Sequence, residues 1–169
     1  MKISLIGYMG SGKSHVSKVL SQDLDLKLID LDHYISLKNN LTIPQIFEKR
    51  GEIYFRKEER RLLEEILVHE TDLILSVGGG TPAYYNNIEM INHHSESIFL
   101  RTSVTTLSQR LLKQKSKRPL IADIPDGDLP EFIAKHLFER NHYYAQAKFT
   151  VDTDGKEVDQ IVAEIKALL

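Results

Sequence analysis

Gly7-Tyr8-Met9-Gly10-Ser11-Gly12-Lys13-Ser14, GYMGSGKS, is the stretch on which the reading of the fold turns. The apolar run Ile3-Ser4-Leu5-Ile6 leads directly into it, and Val16, Val19 and Leu20 follow at a spacing that suits one face of a helix. A glycine-rich turn between a buried strand and a helix is the context that separates a phosphate-binding loop from a chance match. Its glycines free the backbone to turn tightly, so successive N–H groups can face one anion at the positive end of the helix. Lys13 supplies a mobile cation for the outer phosphates. The Ser14 hydroxyl is an oxygen ligand for Mg2+, a hard cation usually shared with the substrate phosphates. The plainer alternative is a glycine-rich strand-to-helix turn with an exposed lysine.

A chain of 169 residues fits one domain and can bury a substantial core. Hydrophobic residues at 41% and charged residues at 27% are ordinary for a globular protein, and a net charge of -2 argues against a nucleic-acid partner held by bulk charge. The basic residues must therefore act locally. The absence of cysteine excludes disulfides, thiolate metal sites and cysteine nucleophiles. No apolar run approaches the roughly 20 residues needed to span a bilayer, and no charged leader precedes the first strand, so a cytoplasmic enzyme without membrane partners is expected.

Along the chain, Leu26 to Leu31 is a second short apolar segment with Asp30 and Asp32 at alternate positions, LIDLD. On a strand, alternate residues leave one face together, which would carry both carboxylates to the edge where the phosphate loop lies. Asp30 could then hold the Mg2+ water shell and Asp32 accept a proton from a hydroxyl acceptor. Alternatively, Asp32 caps a helix beginning at His33. From His33 to Glu70 the pattern is helical, broken at Asn39-Asn40, Pro44 and Gly51, with Phe55, Leu62, Leu63, Ile66 and Leu67 at helical spacing. Arg56 and Glu59 are neighbours on that helix, and for an arbitrary helix they would form a surface ion pair worth less than about 1 kcal/mol.

Asp72 to Ser76 reads as a third strand, followed by Val77-Gly78-Gly79-Gly80-Thr81-Pro82. Three successive glycines remove side chains where backbone must approach something closely. Ile98 to Leu100 is a fourth strand, and Val104 to Leu112 a helix containing Arg110. Lys113 to Asp128, KQKSKRPLIADIPDGD, is basic at its start and interrupted by Pro119, Pro125 and Gly127, so it is not expected to pack as regular structure. In a phosphate-binding protein such a segment suits a closing lid that delivers Arg118. A helix over Leu129 to Ala147 carries Arg140, Phe149 to Asp152 is a fifth strand, and Asp159 to Leu169 closes the chain as an amphipathic helix. Strands alternating with helices argue for a parallel sheet with helices on both faces. The histidines show no zinc-ligand spacing.

Taken together, GYMGSGKS, LIDLD, FEKRGE with FRKEE, SVGGG, KRPL and RNHYY resemble the shikimate kinases, small enzymes with the nucleoside monophosphate kinase fold. The resemblance implies a three-layer α/β P-loop kinase fold: a five-stranded parallel sheet in the order 2-3-1-4-5, flanked by helices. It implies a single domain over 1–169 with a shikimate-binding subdomain at about 32–60 and a lid at about 112–124. It further implies transfer of the γ-phosphoryl of ATP to the 3-hydroxyl of shikimate, in aromatic amino-acid biosynthesis, with Mg2+ and in a monomer. By motif, Gly10, Ser11, Gly12, Lys13, Ser14 and His15, with Arg110 and Arg118, would contact ATP. Asp32, Arg56, Gly78, Gly79, Gly80 and Arg140 would hold shikimate, with Glu59 orienting Arg56. Ser14, Asp30 through water, and Ser76 at one remove would serve the metal, and Asp32, Lys13 and Arg118 would carry the catalysis.

Arginines suit a small carboxylate through paired, charge-assisted hydrogen bonds, and a loose phosphoryl-transfer transition state asks mainly for positioning and cations. One departure stands out. After the last strand the family often places arginine and proline near the adenine, whereas this chain has Asp152-Thr153-Asp154-Gly155-Lys156. Arg110 could stack on the base from the other side or be an ordinary surface arginine. A gluconate-type sugar-acid kinase would want a similar loop, lid and arginines; FRKEE followed by SVGGG favours shikimate. A nucleotide-binding switch would normally carry a guanine motif, and none occurs.

Overall fold

In the computed structural model, which describes residues 1–169, each apolar run expected to be a strand is one. The elements are β1 (Lys2–Ile6), α1 (Lys13–Leu24), β2 (Lys27–Asp30), α2 (Leu31–Asn39), α3 (Ile43–Arg50), α4 (Glu52–His69) and β3 (Leu73–Ser76). They continue with α5 (Asn87–His94), β4 (Glu96–Arg101), α6 (Val104–Gln114), α7 (Leu129–Tyr144), β5 (Phe149–Asp152) and α8 (Val158–Leu168). The five strands form one parallel sheet in the order β2-β3-β1-β4-β5, as expected.

Alternation along the strands makes the three layers. Ile3 and Leu5 of β1, Ile74, Ile98, Leu100 and Val151 pack against Val16 and Leu20 of α1 and Ile161, Val162 and Ile165 of α8. Ile6, Leu73, Leu75 and Phe99 meet the other helices through residues such as Ile35, Leu62, Leu63, Ile91, Leu107 and Ile133. β3 is buried at every position, whereas edge strands β2 and β5 bury only Ile29 and Val151. This distribution is what a doubly covered parallel sheet requires of its middle strands.

Three expectations need correcting, and one helix went unread. Pro44 does not break the helical segment: it sits in the first turn of α3, where a missing N–H costs nothing, behind a Thr42–Gln45 capping box. The helix α5 was not read from the sequence: it is only eight residues long, and Asn86 enters it in a left-handed conformation without capping it through its side chain. The strand β2 ends at Asp30, so Asp32 lies not on a strand but in the first turn of α2. Finally, the basic segment is not free of packing. α6 runs to Gln114, a 3-10 turn covers Lys115–Lys117, and Ile121 is fully buried in the core.

Candidate active site

β1 pairs with β3 so that Leu5 is level with Ser76, and the glycine-rich loops that follow the two strands therefore leave the sheet side by side. In the first loop, Gly10 and Gly12 have φ of 82° and 95°, in the left-handed region where a side chain is strained. Gly12 is also the N-cap of α1, and no side chain caps it, which leaves the first helix amides for a ligand. Lys13 Nζ donates to the carbonyls of Gly7 at 2.5 Å and Tyr8 at 3.1 Å, folding back over the loop. Burial lowers its pKa to about 8, against the attraction of Asp32. A phosphate would restore the charge.

A cavity of about 420 Å3 opens here. Gly10, Ser11, Gly12, Lys13, Ser14 and His15 line it from the phosphate loop, and Asp30, Asp32, Ser76, Gly78 and Gly79 from the neighbouring strand ends. Asp30 and Asp32 thus meet at one rim, but through a helix start. Asp30 Oδ1 accepts from the His33 N–H at 3.0 Å as the N-cap of α2, and the first turn of α2 then carries Asp32 inward. Asp30, not Asp32, is the capping residue. Burial, with the nearby Asp30 and Glu59, raises the Asp32 pKa to about 6, outweighing the attraction of Lys13 and Arg56. A carboxylate so placed is ready to accept a proton near neutral pH.

Arg56, Glu59, Gly80 and Arg140 do not line this cavity; they stand behind the second glycine loop. Arg56 donates to Glu59 at 2.9 Å, and Glu59 is only 1% exposed, so the surface-pair reading is wrong. The Thr81 hydroxyl donates to the other Glu59 oxygen at 2.9 Å. Burial nevertheless pushes the Glu59 pKa upward. A Cβ on Gly80 would come within 2.7 Å of Arg56 Nη2, and one on Gly79 within 3.2 Å of Arg140 Nη1. The glycines are there because two guanidinium groups press on the loop backbone. Arg56 Nε is buried and has no hydrogen-bond partner in the protein. The Arg140 guanidinium lies 5.7 Å from the centre of the Tyr8 ring, and the Tyr8 hydroxyl is 2.8 Å from His136 Nδ1.

Arg110 donates to the Gly10 carbonyl at 3.0 Å and, with Arg118, Gln114 and Lys156, lines the outer part of the cavity. The Arg118 Nε and Nη2 both donate to Gln114 Oε1, at 3.1 and 2.9 Å, which aims the guanidinium from the end of α6. Beyond β5, Asp152 pairs with Arg101 and Asp154 accepts from the Ser103 N–H, so Lys156, Val158 and Ile161 rather than an arginine and a proline border the cavity there.

Sequence reasoning missed several supports. The Tyr144 hydroxyl donates to the Gly79 carbonyl at 2.5 Å, and Thr81 supports Glu59. For Tyr144 the available signal was its position four residues after Arg140, on the same helix face. Thr81 and Gln114 carried no such signal.

The arrangement has counterparts in known proteins. The family model described as shikimate kinase matches residues 9–169. The shikimate kinase of Flavobacterium johnsoniae is 44% identical over 169 residues, covering 99% of this chain and 98% of the relative. That of Phocaeicola vulgatus is 38% identical over 168 residues, covering 99% and 95%. Among solved structures, shikimate kinase from Bacteroides thetaiotaomicron superposes with a TM-score of 0.92 at 33% identity, over 99% of this chain and 97% of its own. Shikimate kinase from Acinetobacter baumannii in complex with shikimate gives 0.88 at 32% identity, over 99% and 91%.

Proposed function

The chain belongs to the shikimate kinase family and phosphorylates shikimate with ATP; we propose that the γ-phosphoryl passes to the 3-hydroxyl, giving shikimate 3-phosphate and ADP in the aromatic amino-acid pathway. The observation that carries the substrate half is the Arg56 guanidinium. Glu59 occupies Nη1, while Nε is buried without a partner. A buried donor left unpaired costs about 1–3 kcal/mol, and a carboxylate taken by the Nε and Nη2 edge would relieve it with two parallel charge-assisted bonds. Arg140, which lies against Gly79 of the loop whose Gly80 meets Arg56, would hold the rest of the acid together with the Gly79 backbone.

On the nucleotide side, the phosphate loop amides and Lys13 take the phosphates, Arg118 approaches the transferred group from the lid, and Arg110 sits over the outer loop. Asp32 aligns the acceptor hydroxyl and receives its proton, since its raised pKa still leaves it ionised at pH 7 and above. Mg2+ fits the donors present: the Ser14 hydroxyl, Asp30 with one oxygen not committed to capping, and Ser76 nearby, all hard oxygens. There is no cluster of three histidine or acidic ligands, which matches an ion that keeps waters and takes phosphate oxygens. Bound there, it would supply charge neutralisation for the phosphates. No helix is long and apolar enough to cross a membrane; a monomer at work in the cytoplasm accords with the family.

ADP release should be measured with Mg2+ and ATP across shikimate, gluconate and nucleoside monophosphates, with the product identified by phosphorus coupling to the proton on carbon 3. Turnover with shikimate alone and coupling at that position are expected. Turnover with gluconate but not shikimate would defeat the substrate assignment, and coupling elsewhere the regiochemistry.

A further inference from the structure

We infer that Tyr84 is a positioning residue for the reaction: its ring fixes the plane of the Arg56 guanidinium so that the Nε and Nη2 edge is presented to the substrate carboxylate. The inference rests on the reading of Arg56 given above. The Arg56 guanidinium carbon lies 4.0 Å from the centre of the Tyr84 ring, closer than the 5.1 Å to Phe55. An aromatic face attracts a guanidinium without consuming any of its N–H donors. Glu59 fixes one corner of the fork in its plane, Tyr84 fixes the plane itself, and the Gly80 backbone closes in on the same group.

The segment that carries Tyr84 is built to hold it. The 3-10 turn Thr81–Ala83 immediately precedes it, and the same turn sends the Thr81 hydroxyl to Glu59, so one short piece of chain braces both members of the ion pair. Asn87 Nδ2 donates to the Thr81 carbonyl at 2.9 Å, and Arg60 Nη1 donates to the Tyr85 carbonyl at 3.0 Å. Tyr85 and Asn86 have φ of 47° and 57°, a left-handed conformation uncommon for a bulky residue and maintained only where the surroundings dictate it. The Tyr84 hydroxyl makes only a long contact of 3.4 Å with Glu52, so the ring rather than the hydroxyl is the working part. Tyr84 is partly exposed, which allows its replacement without opening the core.

The test compares Tyr84→Phe, Tyr84→Leu, Arg56→Ala and the double variant Tyr84→Leu/Arg56→Ala by steady-state kinetics. Tyr84→Leu is expected to raise the KM for shikimate about tenfold, with the KM for ATP and the melting temperature unchanged, while Tyr84→Phe restores wild-type values. In the Arg56→Ala background the leucine substitution should add nothing, because its effect passes through Arg56. If Arg56→Ala leaves the shikimate KM unchanged, the reading of Arg56 fails. If Arg56→Ala raises that KM but Tyr84→Leu does not, or if Tyr84→Phe is as impaired as Tyr84→Leu, the role assigned to the Tyr84 ring is overturned while Arg56 keeps its own.

Discussion

Replacing Asp32 by asparagine should make the free enzyme more stable while removing most of its turnover. Ionised Asp32 sits in a partly buried rim near Asp30 and Glu59, and its pKa rises from 3.8 to about 6. At about 1.4 kcal/mol for each pH unit of displacement, the folded state gives up on the order of 2–3 kcal/mol to keep this carboxylate charged. The sign follows from proton binding. Between the two pKa values the folded protein holds more protons than the unfolded chain, so stability falls as pH rises from about 4 through about 6 and stays low above it. Asparagine, nearly the same shape and uncharged, escapes that loss. For a chain of this size the gain at pH 8 should appear as about 5–10 °C in melting temperature, shrinking to nothing below pH 4. Calorimetry of both proteins without ligand, from pH 4 to 8, measures it. An equal or lower melting temperature for the variant at pH 8, or a gain independent of pH, would refute the electrostatic reasoning even if turnover is lost.

The pKa of Lys13 is lowered to about 8, so the free enzyme sheds that charge as pH rises through about 8, and nucleotide binding above this pH should weaken and take up a proton. Titration calorimetry in buffers of different ionisation enthalpy reads both effects, and binding without proton uptake at pH 9 would contradict them. Gly80→Ala places a methyl group within 2.7 Å of Arg56 Nη2 at an ordinary helical backbone conformation, so the arginine should move rather than the fold. The shikimate KM should rise about tenfold or more with little change in melting temperature. Arg118→Ala should lower kcat by about a hundredfold or more with shikimate binding nearly unchanged, since its guanidinium is aimed at the phosphate side of the cavity.

The parts of this protein legible in its sequence are those set by local pattern. GYMGSGKS after a buried strand gave the phosphate loop, the alternation of strands and helices gave a parallel sheet covered on both faces, and the family resemblance supplied the strand order that the structure reproduces. What stayed hidden depends on contacts between distant residues. Tyr144 reaches Gly79 across 65 positions, with only its place one helical turn after Arg140 to hint at it, and Thr81 reaches Glu59 across 22 with nothing nearby to advertise the partner. Asp30 and Asp32 were brought together by the wrong device: alternation on a strand and the first turn of a helix put them at the same rim, and the sequence LIDLD is compatible with both. The ion pair of Arg56 and Glu59 looked superficial because helix spacing alone does not reveal that a second loop covers it.

The complete burial of Ile121 gives the basic segment a fixed nail three residues beyond Arg118. A strap pinned so close to Arg118, the cation proposed for the transferred group, cannot swing as a free flap, and only the short span between the end of α6 and that nail has slack to carry the guanidinium. Lengthening the chain after Ile121 would leave the stroke of the arginine intact, whereas deleting a residue between Arg118 and Ile121 would shorten its reach directly.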